Sequence, residues 1–153
     1  MATKPYEITA SVMVKASQKQ VFEYMRDLKN FDDWNPFAAM AKNMTMQLSE
    51  VTDQVGATYT YSDKRMGSGE MTILALHPDT LIRLQMKFMM PNEEIADIRW
   101  SLSSTDGETR VTWAMNGERD AKARFMNAIF QFDKMMVKNF TDGLAALKAK
   151  LEA

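Results

Sequence analysis

Tyr59, Tyr61 and Asp63 alternate along one stretch of chain, and Arg65, Ser68, Glu70 and Thr72 follow closely. A period of two puts both phenols and the carboxyl on one face of a strand. Together with Arg65 they could orient a carbonyl, phenol or carboxylate in an apolar site. The rival reading, which the residue types favour, uses the tyrosine rings as core and leaves Arg65 and Glu70 as solvated hairpin charges. Asp133, beside Phe132, is a further candidate polar group, with a surface carboxylate next to Lys134 as its alternative.

Most other chemistry is excluded by composition. The chain has 0 cysteines and 1 histidine, so disulfides, thiolate nucleophiles, Cys-based metal centres and multi-histidine metal sites fall away. The histidine, His77, precedes Pro78 in a turn and is read as a loop residue. The pairs Asp32-Asp33 and Glu93-Glu94 are adjacent in sequence, so their carboxyls point apart and do not share a reacting atom. Gly67-Ser68-Gly69 lacks the lysine and helix of a phosphate loop and reads as a hairpin turn. No residue is assigned a catalytic role, and no metal or cofactor is expected.

The elements that would position the Tyr59 face follow from periodicity. Tyr6, Ile8, Ala10, Val12 and Val14 alternate with polar residues as a half-buried strand. Ser17 and Gln20 form a capping-box pattern before Val21, Phe22, Met25 and Leu28 at helical spacing. Phe31, Trp34 and Pro36-Phe37 suggest a second short helical turn, closed near Asn35 by the proline. Between Ala41 and Glu118 the breakers Gly56, Gly67/Gly69, His77-Pro78-Asp79, Pro91-Asn92 and Asp106-Gly107 divide an antiparallel meander into about six strands. Asp106-Gly107 marks a hairpin between the Trp100 and Trp113 strands. Asp120 caps a single long amphipathic helix from Ala121 to Glu152, about 48 Å at 1.5 Å per residue.

This order predicts an α+β fold with helices on one side of the sheet. Sheet twist curls the strands away from a straight helix and leaves a hollow. Its expected lining is Tyr59, Tyr61, Met71, Ile73, Met86, Phe88, Ile98, Trp100, Trp113 and Met115 from the sheet, with Phe125, Ile129, Phe132 and Met136 from the helix. Arg65 and Asp133 are its possible polar groups. The 15 methionines suit an adaptable apolar site.

Composition bounds the rest. At 153 residues, 46% hydrophobic and 25% charged, the chain is expected to be one globular domain over 1–153. A net charge of -1 with no single-sign block argues against nucleic-acid partners and an anionic-membrane footprint. The N-terminus lacks an apolar signal core, and the longest apolar run, Phe37 to Ala41, is far too short to span a bilayer. A soluble, cytoplasmic protein without membrane insertion is expected.

Several segments carry a resemblance: the opening "ITASVMVKASQKQVFEYMRDLKNFDDWNPF", the middle "VGATYTYSDKRMGSGEMTILALHPDTLIRLQMKF", and the closing "GETRVTWAMNGE" and "FQFDKMMVKNFTDGLAALKAKLEA". Together they resemble the polyketide cyclase/dehydrase branch of the SRPBCC (START-like, helix-grip) superfamily. The best markers are Trp34-Asn35-Pro36-Phe37, Thr109 to Trp113, and Asp133-Lys134 with Phe140 and Gly143-Leu144. The resemblance implies a curved seven-stranded antiparallel sheet wrapped around a long C-terminal helix, with two short helices after the first strand and a cavity between sheet and helix. Members use that cavity for lipids, hormones, aromatic polyketides or no known ligand. Fold does not choose among these uses. The preferred expectation is binding or transport of a small hydrophobic or aromatic molecule. A cyclase, aromatase or dehydratase using Tyr59, Tyr61, Arg65 and Asp133 is the alternative, and a co-chaperone-like interaction module the third.

Overall fold

The computed structural model describes residues 2–41, 43–65, 67–90 and 93–153. Strand β1 (Lys4–Val14) leads into helix α1 (Gln18–Arg26), a 3₁₀ turn (Leu28–Asp33) and the short helix α2 (Pro36–Met40). The meander follows as β2 (Thr45–Leu48), β3 (Thr58–Asp63), β4 (Gly67–His77), β5 (Leu81–Met90), β6 (Glu94–Thr105) and β7 (Glu108–Arg119). Two helices close the chain, α3 (Ala121–Phe130) and α4 (Phe132–Leu151).

The strands form one curved antiparallel sheet in the order β1-β7-β6-β5-β4-β3-β2. Asp106 (φ 50°) and Gly107 (φ 82°) make the tight turn between β6 and β7, which needs the left-handed region at both positions. The expected turn at Pro91-Asn92 lies outside the described residues. The Ser17–Gln20 capping box is formed as the sequence implies. Gly67-Ser68-Gly69 is not itself the hairpin turn: β4 already begins at Gly67, which pairs with Asp63 across β3.

The expected single C-terminal helix is broken. Gln131 adopts φ 54°, ψ 46° and ends α3, its N–H donating to the Asn127 carbonyl at 2.7 Å. Side chains hold the break. The Asp133 N–H donates to Asn127 Oδ1 at 2.9 Å, and both Arg119 η-nitrogens donate to the Asp133 carboxylate, at 3.0 and 2.7 Å. Arg119 also stacks 3.9 Å over the Tyr6 ring. The continuous apolar spacing from Phe125 to Leu151 carries no trace of this bend.

Beyond the break α4 packs along β1. The Lys148 ammonium donates to the Met13 carbonyl at 2.9 Å, and the Lys15 N–H donates to the Glu152 carboxylate at 2.8 Å. The core between α4, the 3₁₀ turn and the sheet is aromatic. Trp34 sits edge-on to Trp100 (centroids 4.7 Å apart) and Trp113 (5.4 Å), and Trp113 stacks on Phe140 at 4.2 Å and 8°. The three buried indole N–H groups meet no oxygen or nitrogen acceptor.

Candidate functional site

Between the concave face of the sheet and the start of α4 lies a cavity of about 320 Å³, at the lower end of the roughly 300–1,000 Å³ typical of small-molecule sites. Alternation along the strands builds its sheet wall from Tyr59 and Tyr61 (β3), Met71 (β4), Met86 and Phe88 (β5), Ile98 (β6), and Trp113 and Met115 (β7). Met136 faces it from α4. The structure thus brings nine of the residues anticipated from periodicity to one space.

The remaining anticipated residues lie elsewhere. Ile73 and Trp100, both fully buried, are absent from the cavity wall and belong to the packed core. Phe125, Ile129 and Phe132 are 64%, 54% and 42% exposed, because the bend at Gln131 keeps α3 from continuing along the sheet. Arg65 is an exposed residue of the β3–β4 turn, its N–H bonded to Asp63. Asp133 is held by Arg119 and Asn127 outside the cavity. His77 is exposed at the end of β4.

The cavity wall also contains Met90, which continues the apolar alternation of Ile82, Leu84, Met86 and Phe88, and Phe31, Asn35, Phe37, Met44, Glu94 and Phe140, which strand periodicity does not single out. Six methionines (Met44, Met71, Met86, Met90, Met115, Met136) therefore line the space, giving it an adaptable apolar surface. A readable signal for Asn35 existed. Asn before Pro is a helix start, with the side chain capping and the proline at the first helical position. Asn35 Oδ1 does accept from the Phe37 N–H at 3.0 Å.

That cap aims the rest of the Asn35 amide at the cavity's polar corner. Asn35 Nδ2 donates to the Tyr59 hydroxyl at 3.2 Å, and the Tyr59 hydroxyl donates in turn to the Asp32 carboxylate. Asp32 is exposed while Tyr59 and Asn35 are buried, so a hydrogen-bonded chain runs from solvent to the cavity wall. Burial raises the Tyr59 phenol pKa well above its ordinary value, and the Asp32 hydrogen bond and charge raise it further, against a smaller opposing effect of Asn35. The phenol stays a neutral donor. Asp32 and its neighbour Asp33 do point apart: Asp33 accepts from the Tyr24 hydroxyl at 2.7 Å.

Tyr61 is placed by a glycine. It pairs with Gly69 across β3 and β4, and its ring lies where a Cβ of residue 69 would be, 2.8 Å from the hydroxyl oxygen and 2.9 Å from Cε1. Burial raises the Tyr61 phenol pKa too. Among the described residues the Tyr61 hydroxyl has no hydrogen-bond partner, and no cluster of three or more acidic or histidine side chains could hold a metal ion.

A curved antiparallel sheet that cups a Met-lined cavity against a C-terminal helix defines a helix-grip protein of the SRPBCC (START-like) class. Residues 5–152 match the family described as polyketide cyclase / dehydrase and lipid transport, and the chain belongs to that family. Solved structures share the fold at low identity. The Aha1 dimer from Colwellia psychrerythraea is 18% identical with a TM-score of 0.66, over 96% of each chain. A hypothetical protein from Helicobacter pylori is 12% identical with a TM-score of 0.70, over 95% of this chain and 88% of that one. DynU16, of the dynemicin biosynthetic locus, is 15% identical with a TM-score of 0.67, over 96% of this chain and 47% of that one. A search of curated proteins returns no match.

Proposed function

We propose that the chain binds and carries a small hydrophobic or aromatic molecule in the cavity between the sheet and α4. The observation that carries this reading is the cavity itself, with its methionine and aromatic wall and a hydrogen-bonded polar corner at Asn35 and Tyr59. Burying ~300 Å² of apolar ligand at about 25 cal/mol per Å² gives roughly 7 kcal/mol before association costs, which corresponds to micromolar or weaker binding. The polar corner suits a ligand with one neutral oxygen: Asn35 keeps a second amide hydrogen to donate, and the Tyr59 oxygen keeps a lone pair. We place the protein in the cytoplasm, on the sequence reading.

Native mass spectrometry of freshly purified protein tests this, followed by titration with the apolar fluorophore anilinonaphthalene sulfonate. Retained small-molecule mass, or saturable probe binding at one site, is expected. A ligand-free spectrum together with absent probe binding rejects the reading.

One observation favours a second reading, a cyclase or dehydratase. The Tyr59 hydroxyl stands in the cavity wall with a solvent-linked carboxylate behind it, an arrangement able to take a proton from an acidic ligand group on the phenol oxygen while the phenol's own proton passes to Asp32. Tyr59→Phe separates the two. A carrier loses affinity only modestly, whereas an enzyme loses turnover with binding largely kept.

A further inference from the structure

The corner between α3 and α4 carries a surface that the cavity does not explain. Phe125, Ile129, Phe130, Phe132 and Met135 are each between 42% and 64% exposed, and no residue of α3 is buried. The Phe130 and Phe132 rings lie 5.9 Å apart across the bend. Large apolar groups gathered in water in this way mark an interaction surface.

The charges of the same segment are one-sided. Residues 121–138 contain Lys122, Arg124, Lys134 and Lys138 against one acid, Asp133, which Arg119 holds at 2.7 Å; at the edges Asp120 caps α3 and Asp142 pairs with Lys138 at 2.8 Å. The net charge of -1 argues against attraction by bulk charge, so the local excess rests on Lys122, Arg124 and Lys134. Lys122 and Lys134 are exposed and, among the described residues, form no ion pair. A second copy is a poor occupant, because a two-fold contact would set lysines against lysines. A negatively charged apolar boundary matches both properties. Aromatic rings enter the zone between headgroups and acyl chains, while lysine stems reach up to the phosphates.

We propose that residues 121–138 dock the protein on an anionic phospholipid bilayer, lying in the headgroup plane without crossing it. No helix among the described residues is long and apolar enough to cross a membrane. The cavity reaches this corner: Met136 is in its wall, and Glu94, also in the wall, is near enough to act on Arg119 electrostatically. Docking would bring the cavity beside the lipid, which links it to the carrier reading. The binding test does not depend on what the cavity holds, because it is read with no cavity ligand present.

The full chain is sedimented with vesicles of phosphatidylcholine, alone or with about a quarter phosphatidylserine. Binding to the anionic vesicles only is expected, and it should weaken as salt shortens the Debye length from about 10 Å to about 3 Å. Lys122→Gln with Lys134→Gln should weaken it about 25-fold, since each basic residue near the surface contributes roughly fivefold. Trp34, Trp100 and Trp113 are buried at 2% exposure or less, so a blue shift of Phe130→Trp emission on vesicles reports residue 130 alone. Equal binding to neutral vesicles, or no binding to either, overturns the proposal. So does a concentration-dependent dimer in sedimentation velocity that Phe130→Gln abolishes, which would assign the face to a second copy. Circular dichroism of each variant must match the parent for its result to count.

Discussion

Gly143 of α4 lies directly against Trp34: a Cβ there would stand 2.8 Å from the Trp34 carbonyl oxygen and 2.9 Å from Pro36 Cδ. The missing side chain lets the helix close on the turn that carries Asn35. Trp113 fills the third side, 3.2 Å from the same point. The cavity's shape depends on this approach.

Gly143→Ala is therefore expected to destabilise the protein despite alanine's helix propensity. Overpacking of about 1–3 kcal/mol outweighs a gain of about 1 kcal/mol. Because the clash is with a backbone oxygen, the upper end applies, and a net loss of about 2 kcal/mol should lower Tm by roughly 4–8 °C in a chain of this length. Calorimetry that shows an equal or higher Tm would mean that the Trp34 turn yields freely.

Filling the cavity separates binding from folding. Met136 is only partly buried on the first turns of α4 and lines the space, so Met136→Trp adds volume there at small packing cost. Affinity for anilinonaphthalene sulfonate should fall at least about tenfold, or 1.4 kcal/mol, with Tm changed little. Unchanged affinity would place the probe elsewhere.

Alkaline pH should unfold the protein progressively. Burial raises the phenol pKa values of Tyr6, Tyr24, Tyr59 and Tyr61, with Asp33 adding at Tyr24 and Asp32 at Tyr59. Tyr6 is pushed up to about 12, where Glu94 adds and Arg119 opposes. An unfolded phenol ionises near 10. The folded state thus holds these protons more tightly, and the stability it gains is complete below about pH 10 and lost as pH rises through the folded values. Urea midpoints measured from about pH 8 to about pH 11.5 should drop above pH 10; a flat series contradicts the burial of these phenols.

The acid side runs the other way at Asp27. Burial alone would raise its pKa, but the Thr52 hydroxyl, the Lys29 N–H and the Lys29 charge together hold it below its usual value. Its contribution is present above about pH 4 and lost as pH falls. Thr52→Val should shrink that acid-side loss in urea midpoints between about pH 5 and pH 3.

Asp133→Asn should free α3. It removes one partner of the Arg119 pair, and Arg119 is only 14% exposed. Amide exchange over residues 121–130 should rise about tenfold or more while the sheet stays unchanged, the pattern of a local opening. Protection that stays the same would show that the Asp120 cap alone holds the helix.

Much of the sheet was legible because alternation of period two is strict where one face is buried, as from Ile82 to Met86 and from Ala96 to Leu102. The pairing of β6 with β7 followed from Asp106-Gly107. The cavity wall was legible on its strand side and at Met136 of α4. Asn35, Phe37 and Met44 reach it from turns and a short helix, whose orientation comes from tertiary contacts. The bend at Gln131 was hidden because it rests on side chains far apart in sequence, Arg119 and Asp133, whereas helical periodicity reports only neighbours three and four apart.

The contacts of α4 with β1 set an order of events during synthesis. Lys4 of β1 pairs with Arg119 of β7, and Met13 and Lys15 wait for Lys148 and Glu152. Strand β1 leaves the ribosome well before β7 and has no neighbour in the sheet until β7 is made. Until then its unpaired edge is open to any passing chain. Fusions or pauses that delay α4 should favour aggregation of the nascent protein, and slow, late closure is built into this topology.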